Sequence, residues 1–268
     1  MPELPEVESV RRELAPILEG SHVARVLLRR SNLRRPFPLE FDRRITGTTV
    51  LRLTRRAKYL LADLSSRDTL IMHLGMSGSF RVEPSDHVPE SHDHVVFDLS
   101  SGAIVTFNDP RRFGLMDLVD LGEVDSHQAF RSMGPEPLDD AFDAAALARA
   151  CAGKRAALKV VLLDQRRVAG VGNIYASEAL HRAALSPRRR AATIATPGGA
   201  PRESAFRLAA AIKAVLQDAV TRQSRGSDSR FVVYEREGKP CPRRGCTGTI
   251  RRIAQAGRST YYCPTCQR

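Results

Sequence analysis

The chain begins with the octet MPELPEVE (residues 1–8). Its second residue, Pro2, is a candidate nucleophile, which the rest of the fold would have to hold in position. If Met1 is removed, Pro2 carries a free secondary amine on a rigid ring. An α-amino group titrates near pH 8, so a useful fraction of it is unprotonated at neutral pH. Such an amine can attack a carbonyl-like carbon and form a Schiff base, and Glu3 beside it can act as a general acid or base.

A second interpretation of the octet is that it only opens a helix. Proline suits the first helical turn, and acidic residues such as Glu6 suit the positive N-terminal end of the helix dipole. Apolar residues at helical spacing do follow as far as Gly20: Val7, Val10, Leu14, Ile17 and Leu18. The catalytic interpretation therefore depends on the rest of the chain.

The overall charge points to a polyanionic partner. The 268 residues carry a formal net charge of +12, and the pI is about 10.1. Nucleic acid is the first polyanion to consider for such a balance. No apolar run is long enough to cross a membrane and no signal-like segment opens the chain, so we expect no membrane partner.

Residues 22–121 predict a domain of strands. Short runs that are β-branched, or that alternate apolar with polar residues, are separated there by Gly, Ser, Asp and Pro. Strands at this spacing favour a sandwich or a barrel. Beyond residues 134–137, which read GPEP, the pattern becomes helical and the cysteines follow at the end. We therefore predict a multidomain α+β chain divided into residues 1–132, 133–224 and 225–268.

Several elements of the second and third domains can be assigned. We predict four helices, at Asp140–Cys151, Lys154–Asp164, Asn173–Leu185 and Glu203–Gln223. We predict one strand, at Phe231–Tyr234.

The strongest single signal is a cluster of four cysteines, Cys241, Cys246, Cys263 and Cys266. Their C-x4-C and C-x2-C pairs match the spacing of structural zinc sites with four thiolate ligands. Two disulfides are the alternative, and the reducing compartment expected for a nucleic-acid-binding protein disfavours them. We predict one structural zinc ion per chain, since four thiolates leave no open position for catalysis. Cys151 stands alone and is expected to be a buried apolar residue.

Residues 170–173, which read GVGN, predict a tight turn at a helix start, with Asn173 as the N-cap. Unpaired N–H groups at such a start form a seat for phosphate. By itself the motif is typical of ordinary turns. Together with the amphipathic helix before it, it predicts a helix–two-turns–helix grip on the DNA backbone.

A third group of residues lies in or beside turns. Lys58 follows two arginines, Met76 lies in HLGMSG (residues 73–78), and Arg111 and Phe113 lie in NDPRRFG (residues 108–114). Such a lysine is usually solvated, and such apolar residues usually belong to a core. The glycine-flanked setting instead favours exposed apolar side chains beside arginine, as base-extruding proteins insert into DNA. We call Met76, Arg111 and Phe113 the wedge.

Taken together, these motifs resemble the formamidopyrimidine-DNA glycosylase family of bacterial base-excision enzymes. The resemblance spans essentially the whole chain and keeps the order of the motifs: MPELPEVE, RRAKYLL, HLGMSG, NDPRRFG, GVGNIYASEAL and the cysteine module. It implies an N-terminal β-sandwich flanked by helices, a helix–two-turns–helix domain and a C-terminal β-hairpin zinc finger, with DNA in the cleft between them.

The resemblance also implies an activity. A bifunctional glycosylase and abasic-site lyase removes oxidised purines, namely formamidopyrimidines and 8-oxoguanine, from double-stranded DNA. Pro2 attacks C1′ of the damaged nucleotide, and the cationic iminium that forms permits β- and then δ-elimination. Glu3 moves the protons and Glu6 shapes the site. Lys58 contacts a phosphate and assists the elimination.

The remaining expected contacts are with DNA. The wedge fills the gap left by the flipped base, and Arg111 faces the orphaned cytosine. Further residues that the resemblance places against DNA are His73, Lys159, Asn173 and Arg258. We expect a monomer that acts in the bacterial cytoplasm, associated with the nucleoid.

Three features depart from the family pattern. The first cysteine pair has four intervening residues where two are usual, and Val160 stands where proline is common. Most importantly, residues 221–230 form a short polar segment where the family has a longer loop over a flipped 8-oxoguanine. This makes formamidopyrimidines and abasic sites firmer expectations than 8-oxoguanine.

Two alternative functions remain open. An endonuclease VIII-like glycosylase would favour oxidised pyrimidines, although such enzymes typically begin Met-Pro-Glu-Gly-Pro. A non-catalytic damaged-DNA-binding protein would bind duplex DNA in a salt-sensitive manner without nicking it. The presence of Pro2, Glu3 and Lys58 together argues against the second alternative, because a binding module needs no nucleophile.

Overall fold

The structure, a computed structural model, describes residues 2–223 and 231–268. The chain divides into two compact units between Arg131 and Ser132, one residue from the predicted end of the first domain. The helical region and the cysteine module lie together in the second unit, so their separation into two domains stays a prediction. Among the described residues, no helix has both the length and the hydropathy that crossing a bilayer requires.

The first unit begins with helix α1, Leu4–Leu18. Glu3 and Glu6 form a capping box at its start, which pairs backbone donors that the first helical turn would otherwise leave unsatisfied. Pro16 is tolerated inside the helix close to its C-terminal end. Val7, Leu14 and Leu18 lie on the buried face, as the apolar spacing predicts.

Two four-stranded antiparallel sheets follow and share one apolar core, which includes Leu60, Val95 and Phe107. A short helix α2, Phe41–Ile45, precedes the second strand. The sheet orders are β1-β6-β7-β5 and β2-β3-β4-β8. The strands are β1 Val23–Leu28, β2 Val50–Arg56, β3 Tyr59–Leu64, β4 Asp68–His73, β5 Ser79–Glu83, β6 Asp93–Leu99, β7 Ile104–Asn108 and β8 Leu115–Asp120.

Three connections of this unit cross from one sheet to the other: the one from β1 to β2 and two shorter ones. The segment 74–78 leads from β4 in one sheet to β5 in the other, and the segment 109–114 leads back from β7 to β8. The wedge residues all lie in these two crossovers. The sandwich therefore carries the wedge where its sheets are joined.

The second unit is helical and ends in a hairpin. Its elements are α3 Ala144–Cys151, α4 Leu158–Leu163, α5 Asn173–Arg182, α6 Glu203–Gln223, β9 Arg251–Gln255 and β10 Arg258–Tyr262. The predicted fold class is confirmed: a sandwich with helices, a helical region and a C-terminal β-hairpin. Cys151 is fully buried, and burial raises the pKa of its thiol to about 12, as expected of an inert core cysteine.

The strand predicted at Phe231–Tyr234 is wrong. The backbone N–H groups of residues 232–234 donate instead to the Glu178 carboxylate at 2.8–2.9 Å. These donors are therefore not used to pair with a neighbouring strand. Of the short segment 221–230, Thr221–Gln223 complete α6 and the remainder lies outside the described residues.

Candidate active site

The N-terminal end of α1 places Pro2 beside a buried carboxylate. Glu3 is only 2% exposed, and its N–H donates to the Glu6 carboxylate at 2.8 Å. This bond fixes the backbone directly after Pro2. A proline nitrogen followed at once by a buried, held carboxylate is the arrangement that amine catalysis with proton transfer requires.

Helix α1 lies antiparallel to β2 and is held to it at both ends. The Glu8 carboxylate lies 3.3 Å from the Arg55 guanidinium, and the Glu19 carboxylate accepts from the Leu53 N–H at 2.7 Å. Burial raises the pKa of Glu8, but bonds from arginines 11, 12 and 55 outweigh it and leave this pKa below its usual value. The turn that follows β2 therefore lies at the same end of the unit as Pro2.

Lys58 occupies that turn. Ala57 and Lys58 are the two residues between β2 and β3, and Ala57 has a φ of +52°, as in hairpin turns with a left-handed first residue. For a residue with a side chain, this conformation costs about 1 kcal/mol. The Arg55 guanidinium donates to the Ala57 carbonyl at 2.9 Å and stabilises the turn. Lys58 is 7% exposed, so its charge is directed within the site and not into bulk solvent.

His73 lies next to this turn, because it pairs with Tyr59 across β3 and β4. Its Nδ1 accepts from the Gly75 N–H at 3.0 Å, so the proton of the neutral ring is on Nε2. Burial chiefly, and then the charges of Lys58 and Arg34, lower the pKa of His73 to about 4. His73 is therefore a neutral donor at physiological pH, suited to an anionic oxygen.

This neutral histidine predicts a loss of stability in acid. Between pH 6.5 and about 4, His73 is protonated in the unfolded chain but neutral in the folded protein. The free energy of unfolding therefore falls as the pH is lowered through this range. The effect is at most about 3 kcal/mol. His73→Asn keeps an acceptor for Gly75 and should flatten the decline of Tm between pH 7 and 4. The exposed His92, whose φ of +70° suits asparagine, provides the control His92→Asn, which should keep the decline. An equal decline in all three proteins would contradict the assignment.

The wedge is exposed. Met76 and Phe113 are each 42% exposed, and the Arg111 guanidinium lies 4.8 Å from the Phe113 ring centroid. Gly75 has a φ of +66°, and a Cβ there would lie 2.3 Å from the backbone carbon of Phe113. Only glycine allows the two crossovers to pass this closely. The side chains of Met76 and Phe113 are thus exposed to solvent, while the backbone that carries them is tightly packed.

A buried carboxylate behind the wedge joins the two crossovers, and sequence reasoning missed it. Asp109 is fully buried and accepts from the Ser77 hydroxyl at 2.6 Å and from the Gly114 N–H at 2.7 Å. The Ser77 oxygen in turn accepts from the Arg111 N–H at 3.2 Å. The sequence feature that could have indicated this role is the position of Asp109 in the turn NDPRRFG, since an aspartate in a turn commonly accepts from backbone N–H groups.

We expect Asp109→Ala to release the wedge. The change removes one acceptor of two buried donors, which should lower the free energy of unfolding by about 3 kcal/mol. Excision of a damaged base should fall further than cleavage at a preformed abasic site, because an abasic site has no base to extrude. Denaturant titration and paired cleavage assays measure the two effects. The exposed Asp86→Ala is the control, and equal losses on both substrates would count against a role in base extrusion.

In the second unit, one buried ammonium organises the start of α5. Lys159 is 1% exposed, and its Nζ donates to Asn173 Oδ1 at 2.8 Å, Thr260 Oγ1 at 2.8 Å and Ser259 O at 3.3 Å. Asn173 Nδ2 donates to the same Ser259 carbonyl at 2.9 Å. The predicted capping role of Asn173 is wrong: Gly172 is the N-cap, and the Asn173 amide binds the hairpin. Arg258, next to Ser259, is exposed at the start of β10.

The four cysteines meet as a metal site requires. The Sγ atoms of Cys241, Cys246, Cys263 and Cys266 all lie within 4.8 Å of one another. The Gly248 N–H donates to Cys246 Sγ at 3.4 Å, a bond that stabilises a thiolate. Four converging sulfurs at this spacing fit one tetrahedral zinc ion and leave no position for substrate. A small apolar core of Val233, Ile250 and Tyr261 packs around the site.

The structure thus brings the predicted residues together in separate groups. Pro2, Glu3, Glu6, Lys58 and His73 lie towards one end of the first unit, and the wedge lies on its crossovers. Lys159, Asn173 and Arg258 lie around the contact of α5 with the hairpin, beside the zinc module. Glu178, which binds residues 232–234, was not predicted.

Comparison with known sequences gives matches along the whole chain. Three family models match: the formamidopyrimidine-DNA glycosylase N-terminal domain at residues 1–116, its H2TH domain at residues 133–230, and the zinc finger found in FPG and IleRS at residues 238–268. The formamidopyrimidine-DNA glycosylase of Bradyrhizobium sp. strain BTAi1 is 54% identical, and that of Afipia carboxidovorans is 51% identical, with both chains fully covered. The first alignment spans 293 positions, 25 more than the 268 residues here.

Solved structures agree with the sequence matches. The Lactococcus lactis formamidopyrimidine-DNA glycosylase, also called Fpg or MutM, superposes with a TM-score of 0.88 at 30% identity over all of both chains, in a complex with DNA containing an abasic site. The same Lactococcus lactis protein superposes with a TM-score of 0.89 in complexes with DNA that contains a benzylated formamidopyrimidine and with DNA that contains an oxidised pyrimidine.

Proposed function

Because this chain belongs to the formamidopyrimidine-DNA glycosylase family, we propose that it excises oxidised purines from DNA with Pro2 as the nucleophile and then cleaves the abasic strand. The observation that carries the assignment of Pro2 is its position directly before the buried Glu3, whose N–H is held by Glu6. The alternative that the octet only caps a helix accounts for Glu6 and for the bond that the Glu3 side chain accepts, but a cap does not require the Glu3 side chain to be buried.

The chemistry begins with the amine. Its lone pair forms a bond to C1′ while the C1′–base bond breaks, and the base leaves with that electron pair and takes up a proton. The nitrogen, now bonded to C1′, loses its proton. The sugar ring then opens as O4′ leaves with the C1′–O4′ electron pair and takes up a proton, which gives an iminium. Because a secondary amine keeps no proton in this iminium, it stays cationic and withdraws electrons. Loss of a C2′ proton then expels the 3′-phosphate, and loss of the C4′ proton expels the 5′-phosphate.

Glu3, Lys58 and His73 support these steps. Glu3 supplies the proton that the leaving base takes up, and its burial keeps water from competing for this transfer. Lys58, held by the strained turn at Ala57, stabilises the charge of a departing phosphate. The neutral His73 donates from Nε2 to a phosphate oxygen without itself titrating.

The wedge takes the place of the extruded base. Met76 and Phe113 present apolar surface that can stack in a duplex from which a base has been removed, and Arg111 beside Phe113 offers donors to the base left opposite. Asp109 and Ser77 keep the wedge fixed, so its insertion costs little conformational entropy.

The phosphate grip is assigned to Asn173 and Arg258, with Lys159 as their positioning residue. The Lys159 ammonium already has three acceptors inside the unit, so its charge holds the hairpin against α5 and sets the Asn173 amide. The resemblance suggested a direct contact of Lys159 with DNA. The buried position instead favours an indirect role.

Salt dependence distinguishes these roles. Lys159→Met should weaken binding to an abasic-site duplex by at least about 10-fold and leave the slope of log K against log salt unchanged, since no phosphate charge is lost. Arg258→Gln should reduce that slope by about 1. Fluorescence anisotropy at several salt concentrations measures both. A reduced slope for Lys159→Met would restore it as a phosphate contact.

Substrate competition tests the proposed function. Duplexes carrying 8-oxoguanine, a formamidopyrimidine, an oxidised pyrimidine or an abasic site are incubated with the protein, and borohydride then traps any Schiff base. We expect adducts on both purine lesions and on the abasic site. Trapping on the pyrimidine with none on either purine would support the endonuclease VIII-like alternative. Binding without any adduct would support the non-catalytic alternative.

The expected setting is the bacterial cytoplasm, where the enzyme acts as a monomer on chromosomal DNA of the nucleoid. The zinc thiolates favour a reducing compartment, and the charge of +12 favours association with DNA.

A further inference from the structure

Helix α5 reaches the zinc site through a residue outside the cysteine module. His181, in its last turn, is 4% exposed, and its Nε2 lies 3.4 Å from Cys241 Sγ and 4.0 Å from Cys266 Sγ. The cysteine spacing gives no hint of this contact, because His181 precedes the first ligand by 60 residues.

Arg243 holds the same end of the helix. It belongs to the extended loop between the first two cysteines, and its guanidinium donates to the carbonyls of His181 and Arg182. These carbonyls lie at the C-terminal end of the helix, where an arginine adds a charged donor and complements the helix dipole.

We propose that His181 is an outer-shell hydrogen-bond donor to the zinc-bound thiolate of Cys241 and that Arg243 keeps it in place. A thiolate that binds zinc still carries negative charge on sulfur and accepts N–H donors well. The imidazole Nε2 is within N–H···S bonding distance, and burial of the ring excludes competing water. The donor stabilises the thiolate against protonation and orients it, so the ion is held more firmly.

The consequence extends along the helix. Side chains along α5 form hydrogen bonds with residues 232–266, among them Asn173 at its first residue, Glu178 in its middle and His181 near its end. A helix of ten residues is a rigid connection. His181 therefore links the metal to the helix whose first residue binds the hairpin beside Arg258.

Two variants separate hydrogen bonding from packing. His181→Phe keeps a planar ring and removes the donor, whereas His181→Gln places an amide N–H near the Nε2 position and packs less well. We expect the rate of zinc release to a colorimetric chelator to rise by about 10- to 100-fold in His181→Phe and to return most of the way to wild type in His181→Gln. The control is His127→Phe, which changes a mostly buried histidine of the first unit.

Cobalt provides a second readout. In the cobalt-substituted protein the sulfur-to-metal charge-transfer band should shift in His181→Phe and stay near its wild-type position in His181→Gln and His127→Phe. Wild-type release and an unshifted band in His181→Phe would overturn the proposal. So would a Gln variant that releases zinc faster than the Phe variant, because this order indicates that the ring matters only for packing. Neither readout depends on glycosylase activity, so failure of the proposed function would not affect the result.

Discussion

A form of the protein in which a single glycine precedes Pro2 should lose covalent trapping on an abasic-site duplex by at least about 1,000-fold, equivalent to about 4 kcal/mol of activation free energy. The glycine converts the secondary amine into an amide, whose nitrogen lone pair is delocalised and no longer nucleophilic. No side chain of the site changes, and the Glu3–Glu6 capping box remains. Affinity for the same duplex should stay within about threefold, since phosphate contacts dominate it.

The matched control comes from the same purification with a protease that leaves Pro2 as the first residue. Borohydride trapping and gel quantification compare the two forms, and anisotropy confirms their binding. Full trapping by the glycine-extended form would exclude Pro2 as the nucleophile and move attention to Lys58, the remaining amine of the site.

Glu3→Gln should separate base release from strand cleavage. Gln keeps an oxygen that can accept the backbone N–H at the helix start, so the cap and the fold should survive. It cannot donate and accept protons as a carboxyl group does, and general acid–base catalysis by one group contributes about 100- to 10,000-fold. Excision of a damaged base should therefore fall by that factor. Trapping at a preformed abasic site should fall much less, because no base has to leave.

Single-turnover kinetics on the two duplexes measure this ratio. Glu13→Gln, which changes an exposed glutamate of the same helix, is the control and should act on both substrates at the wild-type rate. A Glu3→Gln enzyme that loses both activities equally would indicate that Glu3 acts on the sugar and not on the leaving base. Unchanged activity on both would leave the proton transfer to another group.

Much of the architecture could be predicted because the decisive patterns are local. The spacing from Cys241 to Cys266 predicts a zinc site without any knowledge of the fold. The helix predicted at Glu203–Gln223 is confirmed to the residue, since a long amphipathic run has one stable interpretation. The prediction that Met76 and Phe113 lie in turns also rested on adjacent glycines alone.

The features that escaped prediction depend on contacts between distant parts of the chain. Asn173 resembles a helix cap in sequence. In the structure its side-chain oxygen accepts from Lys159 and its side-chain nitrogen donates to the Ser259 carbonyl, so the amide does not cap the helix. Residues 231–234 resemble a strand in sequence. In the structure the N–H groups of residues 232–234 donate to Glu178, which lies on a helix more than 50 residues earlier in the chain. Asp109 looked like an ordinary turn residue because Ser77, its partner, lies in another crossover. Local propensity describes none of these pairings.

The crossovers that carry the wedge also determine when it can exist during folding. Each leaves one sheet and enters the other, so Ser77 and Asp109 meet only after strands of both sheets have paired. Contacts of such long range form late, and the Gly78 and Gly114 amide protons should exchange with solvent only when the whole sandwich opens. A partly unfolded copy has no wedge at all. We therefore expect base extrusion to be lost as soon as the sandwich opens.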